Sequence, residues 1–332
     1  MNIPTLMTRI AALRGHPLPT SARPAASGDA SSRLVTADAA DQIGTPKGVR
    51  VRRNVEFARY GKAKPNGSDL VLRMDVMSPM AAGTYPLVVY VPGGGFVVAP
   101  KVGGARMRRY VASAGFVVAS VEYRTTRHGA TYRDGIADVR AAIAYLVDHA
   151  GEFGIDPGRI AVWGESAGGY LAAMVGVTNG DRQFDPHPKG RVLAVVDKFG
   201  GSALERLAEG FDDVTAAATY APGSAPARYV HGPDATLISE NEVELRAADP
   251  TSYVDAGTPP FLLFHGTDDR LISPIQTAYL HHALLAAGVD STRYLVVGAG
   301  HGDIAVKSGE DKYWTTVPMM HLIVDFLRRT LG

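Results

Sequence analysis

Six largely uninterrupted apolar runs recur along this chain between residues 86 and 302: PLVVYVP, GFVVASVEY, RIAVWGES, RVLAVVDKFG, PPFLLFHG and STRYLVVGAGHG. Such runs suit strands covered on both faces, because a strand with one wet face alternates polar with apolar residues. Between them lie stretches of helical periodicity, at residues 105–114, 134–149, 167–177, 274–287 and 316–331. In the second, Ile136, Val139, Ala142, Ile143 and Leu146 form one apolar stripe. Upstream, VRVRRNVEF and LVLRMDVMSP alternate and read as two neighbouring antiparallel strands. The alternation predicts an α/β fold: a doubly wound, mostly parallel sheet of about eight strands with helices on both faces.

Two segments stand outside that rhythm. Residues 4–14 carry an amphipathic helical spacing and are followed by a Pro/Ala/Ser-rich stretch, so residues 1–45 read as an N-terminal helix and linker, a cap or an arm. Residues 46–332 form the expected main domain. Within it, residues 201–249 contain acidic residues, short helical patterns and no clear strand, and read as an ordered, cap-like insertion.

At 332 residues and 46% hydrophobic, the chain can bury a large core. Its 34 basic and 33 acidic residues leave a net charge of +1, with no field to draw in nucleic acid or an anionic membrane. The absence of cysteine excludes disulfides, thiolate nucleophiles and zinc–thiolate sites. No window reaches the ~18 apolar residues of a membrane span, and the first residues lack the apolar core of a secretion signal, so a cytoplasmic location is the expectation. The other histidines, among them His128, His149, His187 and His231, have no carboxylate at metal-ligand spacing, and the pair His281-His282 reads as surface. No metal and no cofactor are expected.

The chemistry concentrates after the strands. Gly164-Glu165-Ser166-Ala167-Gly168 matches G-x-S-x-G, with RIAVW before it as a strand and a helix-forming run after it. A sharp strand-to-helix turn exposes the serine and needs the small flanking residues. Serine requires a base, and the base an orienting acid. FLLFHGTDDRLIS ends one later strand in two aspartates, and YLVVGAGHGD ends the next in His301, which is the order of serine, acid and histidine expected for this motif. The run Gly93-Gly94-Gly95 after VVYVP raises a phosphate-binding reading, but G-x-G-x-x-G would need glycine at position 98, which is Val98, and no G-K-[ST] follows. Three consecutive glycines instead suggest close approach of the backbone to a ligand.

These stretches, with VYVPGGGFV, FGIDPGRIAVWGESAGGYLAA, DPTSYV, PPFLLFHGTDD and GAGHG, resemble the α/β-hydrolase carboxylesterases of the hormone-sensitive-lipase-like and feruloyl/acetylxylan-esterase-like (BD-FAE-type) group, over residues 50–330. The resemblance implies Ser166 as nucleophile, His301 as base and Asp269 as acid, the fourth residue after His265, with Asp268 as its rival. It implies the backbone amides of Gly94, Gly95 and Ala167 as an oxyanion hole. Two departures stand out: Pro92 replaces the histidine of H-G-G-G, which puts the rigidity of the loop in question, and Ile272-Ser273 replaces the Val-Pro that follows the acid.

Phe96, Val97, Val98, Tyr170 and the insertion are expected to line an apolar acyl pocket, suited to short-to-medium acyl or aryl esters. The expected partner is therefore a small-molecule ester, and a homodimer stays open. An amidase or formamidase would use the same triad, and a non-catalytic binder on this fold is the other class weighed. Glu165 reads equally as a tuner of the site or as a buried residue beside a strand end; His265, Arg124 and Asp138 read as structural.

Overall fold

The apolar runs pair into one nine-stranded sheet. The computed structural model describes residues 30–61, 67–302 and 311–332; the helix expected over residues 4–14 lies outside them. In chain order the strands are β1 (Arg33–Val35), β2 (Val49–Tyr60), β3 (Leu70–Pro79), β4 (Tyr85–Val91), β5 (Val117–Val121), β6 (Ile155–Glu165), β7 (Val192–Lys198), β8 (Phe261–Gly266) and β9 (Ser291–Val296). Across the sheet they lie in the order β1, β9, β8, β7, β6, β4, β5, β3, β2. From β1 through β5 every neighbouring pair is parallel, while β3 against β5 and β2 against β3 are antiparallel. The alternating runs thus sit at the edge, and the continuous ones fill the centre, where every residue of β5 and β8 is buried.

Helices cover both faces. On one, α2 (Tyr132–Asp148), α4 (Ala167–Val177) and α8 (Ile275–Ala286) pack their apolar stripes on the sheet. On the other lie α1 (Ala105–Ser113) and α9 (Val317–Leu331), with Val111, Met320, Ile323 and Leu327 in the core. A one-turn α3 (Ala150–Phe153) leads into β6. Ile143 of the α2 stripe is fully buried, and truncating such a residue to alanine costs about 2–5 kcal/mol.

The ninth strand, β1, comes from the stretch read as an arm. Three residues are too few to show a period, and β1 exists only because it pairs with β9. The neighbouring Gln42 bridges to Thr316. Between β7 and β8 the insertion folds into a 3₁₀ turn (Leu204–Arg206) and short helices α5 (Asp213–Thr219), α6 (Ala225–His231) and α7 (Glu242–Ala247). The polar residues that break the strand pattern there are their caps: Asp212 accepts from the Thr215 amide at 2.8 Å, and Asn241 from that of Glu244 at 3.1 Å.

The histidine pair in α8 corrects one expectation. His282 is exposed, but His281 is buried, with Nδ1 2.7 Å from Ser291 Oγ, because it lies one turn from Thr277 and Leu284 on the helix face that meets the sheet. No helix among the described residues is long and apolar enough to cross a membrane.

Candidate active site

The sheet order brings the carboxyl ends of β4, β6, β7, β8 and β9 side by side, which is where open α/β sheets hold their ligands. The chain leaves β6 at Glu165 and enters α4 at Ala167, and the turn between them forces Ser166 to φ 57° and ψ −124°. A side chain pays about 1–3 kcal/mol for such a conformation. It is held by the Ser166 amide, which donates to the Lys198 carbonyl at 2.9 Å, and by the Ser166 carbonyl, which accepts from Tyr170 N at 3.0 Å. The small residues around it are required by space: a Cβ on Gly164 would strike the Gly168 carbonyl, and one on Gly168 the carbonyl of Val91.

His301 follows β9, and Asp269 lies in the loop after β8. His301 Nε2 is 2.8 Å from Ser166 Oγ, and His301 Nδ1 is 2.7 Å from Asp269 Oδ2. Asp269 Oδ1 accepts from the amides of Leu271 at 2.8 Å and Ile272 at 3.1 Å, so the Ile272-Ser273 departure keeps the amide that the acid uses. Burial drives the Asp269 carboxyl upward, but the facing His301 and the hydrogen bonds from His265 and His301 outweigh it and hold the group well below the usual carboxylate range. Asp269, rather than its rival Asp268, is the aspartate that meets His301.

Gly93 passes close to Ser166: a Cβ there would lie 3.0 Å from the Glu165 carbonyl and 3.1 Å from Ser166 Cβ. The Gly94 carbonyl turns inward and accepts from the amides of Val97 and Val98, at 3.1 and 3.2 Å. This tight fold leaves no room for a Cβ on Gly94, which would meet the Val98 carbonyl. Gly93 thus answers to crowding beside Ser166, Gly94 to its own tight turn, and Gly95 to a left-handed φ of 60°. Gly95 follows Gly94 in the loop, and Ala167 follows Ser166 as the first residue of α4.

The loop that begins at Pro92 is tied to residues just beyond β5. Tyr123 donates its hydroxyl to the Pro92 carbonyl at 2.9 Å, Thr125 Oγ1 to the Val97 carbonyl at 3.0 Å, and Thr126, through its amide and its hydroxyl, to the Phe96 carbonyl at 2.9 Å. Phe96 itself sits at φ 61°. Its ring stacks on Tyr229 of α6 at 4.4 Å and meets Tyr170 edge-on at 5.5 Å. Tyr170 is buried, with its hydroxyl 2.6 Å from the Ala248 carbonyl, so it reaches the site through Phe96.

Several residues behind the site escape a reading of the sequence. Glu165, left open between two roles, pairs at 2.5 Å with Lys198, which is only 1% exposed, and accepts from the Tyr90 hydroxyl at 2.7 Å. Phe199, at φ 48°, places its ring 4.7 Å from that of His301 and 4.9 Å from that of Trp314. Trp314 Nε1 donates to the Gly300 carbonyl at 3.1 Å, just before His301. Lys198, Phe199 and Trp314 belong to no motif; each is placed by the packing of β7 and the segment before α9. Asp138 is fully buried and takes the Arg124 guanidinium and the Tyr60 hydroxyl, at 2.9 and 2.5 Å. Among the described residues no group of three or more His, Cys, Asp or Glu side chains could hold a metal ion.

A family model described as BD-FAE matches residues 74–284. The chain is 31% identical over 295 residues to Esterase LipC of Mycobacterium tuberculosis, covering 85% of this chain and 67% of that protein. It is 30% identical over 231 residues to the probable carboxylic ester hydrolase LipM of the same organism, covering 68% of this chain and 49% of that protein. Against several of the curated relatives it matches, the chain spans about half their length. Among solved structures, a truncated form of a carbohydrate esterase from gut microbiota superposes with a TM-score of 0.69 at 22% identity, over 85% of this chain and 96% of that one. This last likeness establishes the α/β-hydrolase fold.

Proposed function

This chain belongs to the BD-FAE family, and we propose that it hydrolyses carboxylic esters, of short-to-medium acyl or aryl type, through an acyl-enzyme on Ser166. The observation that carries this reading is the unbroken line from Ser166 Oγ to His301 at 2.8 Å and from His301 to the ionised Asp269 at 2.7 Å, with Ser166 held at φ 57°.

Ser166 Oγ attacks the ester carbonyl carbon as its proton passes to His301 Nε2, and Asp269 holds the imidazole by Nδ1–H and steadies the imidazolium. The amides of Gly94, Gly95 and Ala167 receive the developing oxyanion, each worth about 3 kcal/mol by analogy with comparable donors. The tetrahedral intermediate collapses with loss of the alkoxide, which takes the proton from His301. Water, deprotonated by His301, then cleaves the acyl-enzyme, releasing the acid and restoring Ser166.

Phe96 and Val97 would line the acyl side, with Tyr170 and Tyr229 behind Phe96. Residues 201–249 would act as a small cap that delivers Tyr229 to this wall. A site with few fixed charges on that wall favours uncharged acyl groups. Ser166→Ala is expected to lower hydrolysis of p-nitrophenyl esters to below about a thousandth of the wild-type rate; retention above that level would refute the assignment. Matched ester and anilide substrates separate esterase from amidase, with the ester expected to be cleaved faster.

A further inference from the structure

Asp269 is shared by two imidazoles. Besides His301, His265 brings its Nε2 to 3.2 Å from the same Oδ2, and this nitrogen also lies 2.9 Å from the Ile272 carbonyl oxygen. A carbonyl and an ionised carboxylate can only accept, so Nε2 carries the hydrogen. The other nitrogen, Nδ1, lies 3.0 Å from Thr277 Oγ1, and Thr277 Oγ1 accepts from Arg293 Nε at 3.0 Å. The Arg293 guanidinium is fully buried and donates to the Pro274 carbonyl at 2.6 Å and to Ser32 Oγ at 2.6 Å. One chain of polar contacts thus runs from the segment before β1, through β9, α8 and β8, to the acid of the site.

Burial lowers the pKa of His265, and the nearby Arg293 charge acts in the same direction, against the pull of Asp269. A neutral ring carries its hydrogen on Nε2, which donates toward Asp269 and Ile272, and Nδ1 then accepts from the Thr277 hydroxyl, which lies nearer to Nδ1, at 3.0 Å, than to its other acceptor, the Pro274 carbonyl, at 3.3 Å. The charged or titratable groups around Asp269 are His301 and His265 in contact, Asp268 and Arg270 on either side along the loop, and Arg293 beyond Thr277.

Resting on the reading of Ser166, His301 and Asp269 as the reacting groups, we propose that His265 is a positioning residue for Asp269, held in its Nε2–H form by Thr277 and Arg293, and that it sets how readily His301 releases its proton. A carboxylate oxygen engaged by a second donor gives less of its charge to the first. Removing that donor leaves Asp269 freer to rotate and more strongly attractive to the His301 imidazolium. A residue that merely filled space would alter stability without moving the titration of His301.

The test titrates His301 by ¹⁵N NMR and records the pH profile of kcat/KM for wild type, His265→Leu, His265→Gln and Thr277→Val. His265→Leu removes the donor, and its His301 titration and acid limb should both rise by about half to one pH unit. Its kcat should fall about ten- to a hundredfold, the cost of a lost hydrogen bond to a charged group, with KM within about twofold. His265→Gln keeps an amide hydrogen near the place of Nε2 and should return both readouts toward wild type. Thr277→Val should shift them in the same direction by less, and it carries the test alone if His265→Leu does not fold. An unmoved His301 titration in a folded variant overturns the proposal. Because that titration needs no turnover, failure of Ser166 to react with a fluorophosphonate would sink the triad reading instead, and normal reaction with an unmoved titration sinks only the role of His265.

Discussion

The loop after β8 and the end of β7 each bury an aspartate almost completely, Asp269 at 0% and Asp197 at 1% exposure, yet the two carboxyls shift in opposite directions. Burial pushes the Asp197 carboxyl up to about 7, opposed by the amide of Gly200, which donates to its Oδ1 at 2.9 Å. Asp269 feels the same burial, but His301, His265 and the amides of Leu271 and Ile272 converge on it and keep it ionised. Depth does not choose the protonation state; the number and charge of the donors do. The contrast also separates roles. Asp197 fills space against α4, where a Cβ on Gly169 or Gly200 would strike its Oδ1, whereas Asp269 faces His301.

The largest expected effect comes from breaking the charged side of this contrast. Asp269→Asn should reduce kcat/KM by about four orders of magnitude on p-nitrophenyl esters, because an amide can leave the imidazole in the wrong tautomer; a loss under about tenfold would show that Asp269 does not orient His301. The same substitution should change acid stability. Unfolded, this carboxyl takes up a proton near its ordinary value of about 4, whereas the folded form resists to lower pH. Its stabilisation is therefore present above about pH 4 and lost as the pH falls through the folded value, and the variant should lose this part of the wild type's acid sensitivity.

Asp197→Asn probes the other side, with the opposite sign. Between about pH 4 and about 7 the unfolded carboxyl has lost its proton while the folded one retains it, so stability falls as the pH rises through this window and stays lower above it. The amide keeps the acceptor for Gly200 and removes the charge. Urea melts should show a gain on the order of 2 kcal/mol at about pH 8 and little change at about pH 4. An equal effect at both pH values would mean that Asp197 does not carry a raised pKa. A neutral tether should matter least for turnover: Tyr123→Phe, which leaves the carbonyl of the buried Pro92 without this donor, is expected to lower kcat about three- to tenfold and to cost about 1–3 kcal/mol of stability. No change in kcat would show that Thr125 and Thr126 hold the glycine loop by themselves.

Much of this arrangement was legible in the residues. The unbroken apolar runs became the parallel centre of the sheet, the alternating ones its antiparallel edge, and the small residues around Ser166 announced a turn that no larger side chain could make. What carries no local signal was not legible. β1 is three residues long and depends on β9. The holding of Pro92 by Tyr123 joins residues 31 positions apart and is defined only by packing, whereas His265, read as structural, meets Asp269 four residues further along the same strand and loop. Lys198 reads in sequence as the end of a strand, and its partner Glu165 explains why a cation can be buried there.

Reaction of the folded protein with a fluorophosphonate, followed by peptide mass mapping in wild type and Asp269→Asn, tests the centre of this account most directly. A single adduct on Ser166, formed at a rate that falls by about three orders of magnitude or more in Asp269→Asn, is the expected result. An adduct on another residue, or labelling of Ser166 that is indifferent to Asp269, would contradict it.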